Sequence, residues 1–111
     1  MIREIQIPDP IQVRLLDGRE AAFDFGHTLT LLLSQRSWAR DYERLVALRA
    51  IRCAWADRQE GHQALRLEQA HWRHLVEVTL RPEGGYGLPP SVAEQILPML
   101  DAILQASEHG P

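Results

Sequence analysis

Lysine is missing from this sequence altogether, so each of its twelve basic residues is an arginine. Two explanations stand side by side: a genome rich in G and C, and the suitability of the planar five-donor guanidinium for ion pairs inside protein interfaces. Cysteine is nearly missing too. The single Cys53 cannot close an intramolecular disulfide, which suits a reducing compartment. No stretch approaches the roughly 18 apolar residues that a membrane-spanning helix needs. The N-terminal MIREIQIPDP has neither the basic start nor the apolar centre of a secretory signal. No membrane association is expected, and the expected location is the cytoplasm. An excess of positive charge is also lacking: the formal net charge is -3 with a pI near 5.9. The chain as a whole lacks the basic field that draws proteins onto phosphate backbones, and nucleic acid is not an expected partner.

The residues that are present fit a folded chain. With 111 residues, 45% apolar and 24% charged, the sequence has the length for one hydrophobic core and the composition to fill it. Residues 1–111 read as a single domain, with an extended and hairpin segment over 1–25 and a helical body over 27–107. The expected fold class is mainly α, three to four helices behind an N-terminal β-hairpin.

Local patterns set these boundaries. Ile5 and Ile7 alternate with polar neighbours, and after Pro8-Asp9-Pro10 the alternation resumes at Ile11, Val13 and Leu15. Asp17-Gly18 supplies a tight turn, and Ala21, Phe23 and Phe25 continue as the return strand, so a hairpin is predicted at about 11–25. The dense apolar run HTLTLLLSQ suits a buried helical segment. A long helix is predicted from Ser37 or Ala39 through DYERLVALRAIRCAWADRQ, with Gly61 as its stop. On a helical wheel Trp38, Tyr42, Leu45, Val46 and Cys53 share one broad side, while Leu48, Ile51 and Trp55 fall on another. The first grouping predicts a buried, inert Cys53. A third helix is expected over about 66–80 with Trp72, Leu75, Val76 and Leu80 inward, ended by Pro82. Next comes the loop RPEGGYGLPP, with Tyr86 expected to pack onto the core. The S-x-x-E pair Ser91 and Glu94 predicts a capping box for a fourth helix over 91–107, kinked near Glu94 to Pro98 by the internal proline.

Residues that could carry chemistry are few. Glu68, His71, His74 and Glu77 recur every three positions, and Glu68-x-x-His71 has the spacing used by di-iron carboxylate bundles. Such a centre needs a second motif and two more inward carboxylates, which this sequence does not supply, so no metal or other cofactor is expected. No G-x-S-x-G surrounds a serine, and the Gly84-Gly85-Tyr86-Gly87 loop has no lysine beside it to meet a phosphate. No catalytic residue or small-molecule substrate is evident. Arg36, Arg40, Arg44, Arg49 and Arg52 crowd the start of the long helix, diluted by Asp41, Glu43 and Asp57.

Apolar residues on two sides of one helix require two contacts, one with the chain's own core and one with another element or subunit. Tryptophan, tyrosine and arginine are the preferred anchors of interfaces, and Trp38, Tyr42, Arg49, Arg52 and Trp55 are therefore the candidate interface residues. The expected partners are proteins: the chain itself, or other subunits of an assembly. The unpaired edges of a two-stranded hairpin add a second docking surface.

The order of parts, IPDPIQVRLLDGREAAFDF, an apolar helix, a long helix, LEQAHWRHLVEVTLRP and GLPPSVAEQILPMLDAIL, resembles the small tailed-phage and prophage morphogenesis proteins. The likeness is to the tail assembly chaperone group in particular. The resemblance implies a short β element before a helical body, and a non-enzymatic assembly protein that binds tape-measure or tail components. It would place the chain in a bacterial or infected host cytoplasm, or in the virion. No functional residue is carried over. The alternative class is a small regulatory binding protein, such as an inhibitor or antitoxin-like partner.

Overall fold

The computed structural model describes residues 1–58 and 63–109. In chain order the elements are β1 (Ile2–Gln6), β2 (Ile11–Arg14), β3 (Glu20–Phe23), α1 (Phe25–Leu33), a 3-10 turn (Arg36–Ala39), α2 (Tyr42–Asp57), β4 (Ala64–Glu68), α3 (Gln69–Leu80), α4 (Pro90–Ala93), a second 3-10 turn (Glu94–Ile96), α5 (Leu97–Leu104) and β5 (Ser107–His109). The fold is mixed α/β, with strands in two sheets, and the mainly helical class expected from sequence is overturned.

The difference arises at β4 and β5. Strand β1 is the middle of a three-stranded antiparallel sheet ordered β4-β1-β5. Its backbone N–H and C=O groups on both edges would be unpaired beside a purely helical body, and only strands can satisfy them in a ladder. The register Ile5↔Leu65 and Arg3↔Leu67 puts Leu65 and Leu67 on the same face as Ile5, and all three apolar side chains are buried. Residues 66–68, expected to open a helix, therefore belong to a strand, and the helix starts at Gln69. The expected helix end at 107 is likewise strand β5, with α5 closing at Leu104. The opposite sheet face is polar, with Arg66 Nε bonded to Glu4 at 2.9 Å.

The β2–β3 hairpin forms at the Asp17-Gly18 turn, where Gly18 adopts φ 87°. Phe25 does not continue the return strand. Asp24 stops it by capping α1, accepting a bond from the His27 amide at 2.8 Å, and Phe25 turns into the core instead. Asp41 caps α2 in the same way, accepting from the Arg44 amide at 2.9 Å. The helix so capped starts later than the sequence suggests, because Trp38 and its neighbours form the preceding 3-10 turn. The predicted stop at Gly61 lies outside the described residues; α2 ends at Asp57.

The expected Ser91–Glu94 capping box does not form. Pro90 takes the first helical position, where its missing N–H costs nothing, and this draws Ser91 inside the first turn. Its hydroxyl is buried without a hydrogen-bond partner among the described residues. The predicted kink is present as the 3-10 turn at Glu94–Ile96, after which α5 starts with Pro98 in its first turn. α3 and α5 cover the inner face of the sheet, α2 lies against α3 and β4, and α1 lies against α3 and α5. One contact ties the two ends of the sequence to this core. The Arg3 guanidinium stacks 4.3 Å above the Trp72 ring, donates to Ala106 O at 3.2 Å and pairs with Glu108 at 2.8 Å.

Candidate protein interface

Helix α2 has two faces of different fate. Its inward face carries the fully buried Ala47 and Ile51, with Leu48, Ala54 and Trp55 packed partly against the core. Its outward face carries Tyr42, 79% exposed, and Leu45, 47% exposed, with half-buried Val46 and exposed Arg49 and Cys53. At 100° per residue these outward positions lie within about a third of the helix circumference, so they form one continuous strip. Cys53 is thus exposed, contrary to the buried thiol expected from its wheel neighbours. The wheel groups those residues correctly, but the core lies under the opposite side. Periodicity identifies two apolar faces without saying which one the rest of the chain covers.

Among the five candidate residues, Tyr42 and Arg49 lie on this exposed strip. Arg52 and Trp55 lie on its flank, where they line a shallow groove against Gly26, Leu29 and Leu33 of α1. Trp38 stands apart. It is 2% exposed and its indole N–H donates to Leu32 O at 2.9 Å, so it belongs to the core and does not reach the strip. Trp55 is intermediate: its ring lies 5.7 Å from that of Phe25 on the inner side, and the Arg58 guanidinium lies 3.5 Å above it on the outer side. A Cβ on Gly26 would come within 3.2 Å of the indole, which is why the backbone of α1 can approach Trp55 so closely.

The hairpin supplies a second exposed element. Leu15 N–H donates to Arg19 O at 2.8 Å, and the register Arg14↔Glu20, Gln12↔Ala22 then turns the N–H and C=O of Glu20 and Ala22 away from β2. No described strand pairs with that outer edge of β3, and Glu20, Ala21 and Ala22 are all exposed. The outer edge of β2 is treated differently. The Gln95 amide bonds both Arg14 N–H and Arg14 O, each at 2.8 Å, and so takes the place of a strand residue there. Nothing in sequence announces this role, since one glutamine on a helical segment is indistinguishable from a solvated one. The Arg3–Trp72 stack is equally silent in sequence, because its partners lie in different elements.

The glycine-rich loop folds back on the core. The Tyr86 hydroxyl donates to Thr79 O, and its ring packs beside Leu88. Partial burial disfavours the phenolate and raises the Tyr86 pKa above the ordinary phenol value. Of the four residues spaced by three, Glu68 lies in β4, whereas His71, His74 and Glu77 lie in α3. Glu77 accepts from Arg44 at 3.0 Å. Among the described residues, no group of three histidines, cysteines or carboxylates is placed to hold a metal ion. Among them, too, no helix is long and apolar enough to cross a membrane.

No protein-family model matches the chain, and comparison with curated proteins and with solved structures finds no match either.

Proposed function

We propose that this chain is a non-enzymatic binding subunit that works through protein–protein contacts, of the assembly class represented by the tail morphogenesis proteins its sequence resembles. The observation that carries the reading is the outward strip of α2, where Tyr42 and Leu45 stay largely exposed beside Arg49 and Cys53. An exposed tyrosine with an adjoining leucine and arginine has the composition of an interface anchor, and the chain's own core covers it only in part. The open edge of β3 adds a set of unpaired backbone groups that a partner strand can complete. The assembly class itself rests on the sequence resemblance alone.

The test is sedimentation over a range of concentrations, with the chain alone and with tail-assembly proteins as partners. The wild type is expected to associate. Tyr42→Asp together with Leu45→Asp is expected to weaken that association by about tenfold or more, in proportion to the loss of a buried aromatic anchor. Because both positions are exposed, the doubly substituted chain should keep its thermal midpoint. A wild type that sediments as a monomer in every mixture would overturn the reading.

A further inference from the structure

A cleft of about 230 Å³ opens where the start of α2 meets the end of α3. It lies on a different part of the molecule from the exposed strip of α2, and its chemistry is independent of the proposed assembly role. Its floor is apolar, formed by the buried Trp38 and by Val78. Its rim is mostly basic: Arg40 ends the 3-10 turn, Arg44 stands in the first turn of α2, and Arg81 ends α3. Three arginines there face two glutamates, Glu77 and Glu83, so the cleft is locally positive in a chain whose total charge is -3.

The three arginines are not equivalent. Arg44 is committed, its guanidinium 3.0 Å from the Glu77 carboxylate, and His74 Nδ1 stands 3.9 Å from the same carboxylate. Arg40 and Arg81 have no carboxylate within ion-pair distance among the described residues. Both side chains are exposed at the rim, and guanidiniums that meet no carboxylate among the described residues beside a concave floor are an arrangement that favours an oxyanion through charge-assisted hydrogen bonds. Two free forks match a ligand with two negative charges and several oxygens. A single carboxylate would occupy one fork and leave the other unpaired.

We infer that this cleft binds a phosphate monoester, with Arg40 and Arg81 gripping the phosphoryl oxygens above the Trp38–Val78 floor. Arg44 stays on Glu77 and holds one wall in place. Glu83 is the opposing charge on the rim, so it limits the affinity.

The experiment is a titration of the full chain followed by amide and indole NMR shifts. Inorganic phosphate and phosphoserine are the probes, and acetate and chloride are controls at matched ionic strength. Both phosphate probes should give saturable 1:1 shifts centred on Ser37, the Trp38 indole and Val78. Phosphoserine should bind more tightly than inorganic phosphate, as a monoester site requires, and equal binding of the two would overturn the monoester assignment in favour of the free ion. Arg40→Ala and Arg81→Ala should each weaken binding about five- to tenfold, as expected for loss of a charge-assisted bidentate contact. Arg81→Lys should fall between wild type and Arg81→Ala, which also covers the case in which the alanine variant folds poorly. Glu83→Gln should tighten binding about threefold by removing a like charge, an effect that loss of a structural contact would not give. Shifts that rise linearly without saturation, acetate binding as tightly as phosphate, or affinities unchanged in both arginine variants would overturn the proposal.

Discussion

Tyr86 bridges two parts of the chain, its hydroxyl donating to Thr79 O while the residue lines the groove beside α1. Burial raises its pKa in the folded chain above the unfolded value of 10.0. The folded state therefore keeps this proton to higher pH than the unfolded chain does. The stability linked to it is fully present below the unfolded pKa and is lost as pH climbs from there through the folded value. In a Tyr42→Phe background, which leaves Tyr86 as the one phenol, the absorbance change of phenolate formation should show a midpoint above 10.0. Chemical denaturation should show stability falling over the same range, and Tyr86→Phe should remove that fall. A phenolate midpoint at the ordinary value would mean that the hydroxyl is solvated. Trp38 shows the limit of reading single residues: an interface anchor by type and spacing, it is a core residue in the fold. Its sequence position beside Tyr42 suggests a shared helix face. A 3-10 turn ending at Ala39, followed by the Asp41 cap, rotates it away from that face.

Among the elements, the hairpin is legible in sequence, because Asp17-Gly18 and the alternation on both sides point to the same pairing. So is the break before Pro98, because a proline inside an apolar helix stripe must disrupt its bonds. Strands β4 and β5 are not. Each is short, three to five residues, and each exists because β1 needs partners, which is a long-range condition that no local window contains. The two apolar faces of α2 are legible, but their assignment to core or solvent depends on the placement of α3 and β4. Gln95 tests how far the hairpin relies on its surroundings. Two strands alone are marginal in water, and the paired bonds from Gln95 to Arg14 dock β2 onto the second 3-10 turn. Gln95→Ala should cost about 1–2 kcal/mol, since the two bonds to Arg14 and a third from Gln95 Nε2 to Ser91 O are lost at a partly solvated edge. The loss should be local: hydrogen exchange at Arg14 and along β2 and β3 is expected to accelerate while the β1–β4 amides keep their protection. Uniform acceleration across both sheets would show that the hairpin and the sheet open together.

At the scale of the molecule, exposed apolar surface and the basic cleft lie on separate sides of α2, so contact with a protein and contact with an anion can be varied independently. Substituting Tyr42 and Leu45 should leave phosphate shifts at Trp38 intact, and substituting Arg40 or Arg81 should leave sedimentation intact. A charge at Trp55 is expected to act differently from either, because the indole lies between Phe25 and Arg58 and its loss disturbs the contact of α1 with α2.

The placement of β1 at the centre of its sheet also dictates the timing of folding. Of the described strands, the one earliest in sequence completes its pairing last: its ion pair with Arg66 spans 62 residues, and the bond from Arg3 to Ala106 spans 103. During synthesis the segment carrying Ile2 and Ile5 must wait with both edges open until β4 is available, and with one edge open until β5 follows. Closing loops of that length before any reward is gained slows folding relative to a helical bundle of similar size. Refolding from denaturant should accordingly show the β2–β3 hairpin and the helices gaining protection before the β1–β5 amides do. In the cell, the interval before β5 arrives is when this chain is most open to capture by a chaperone or by another strand edge.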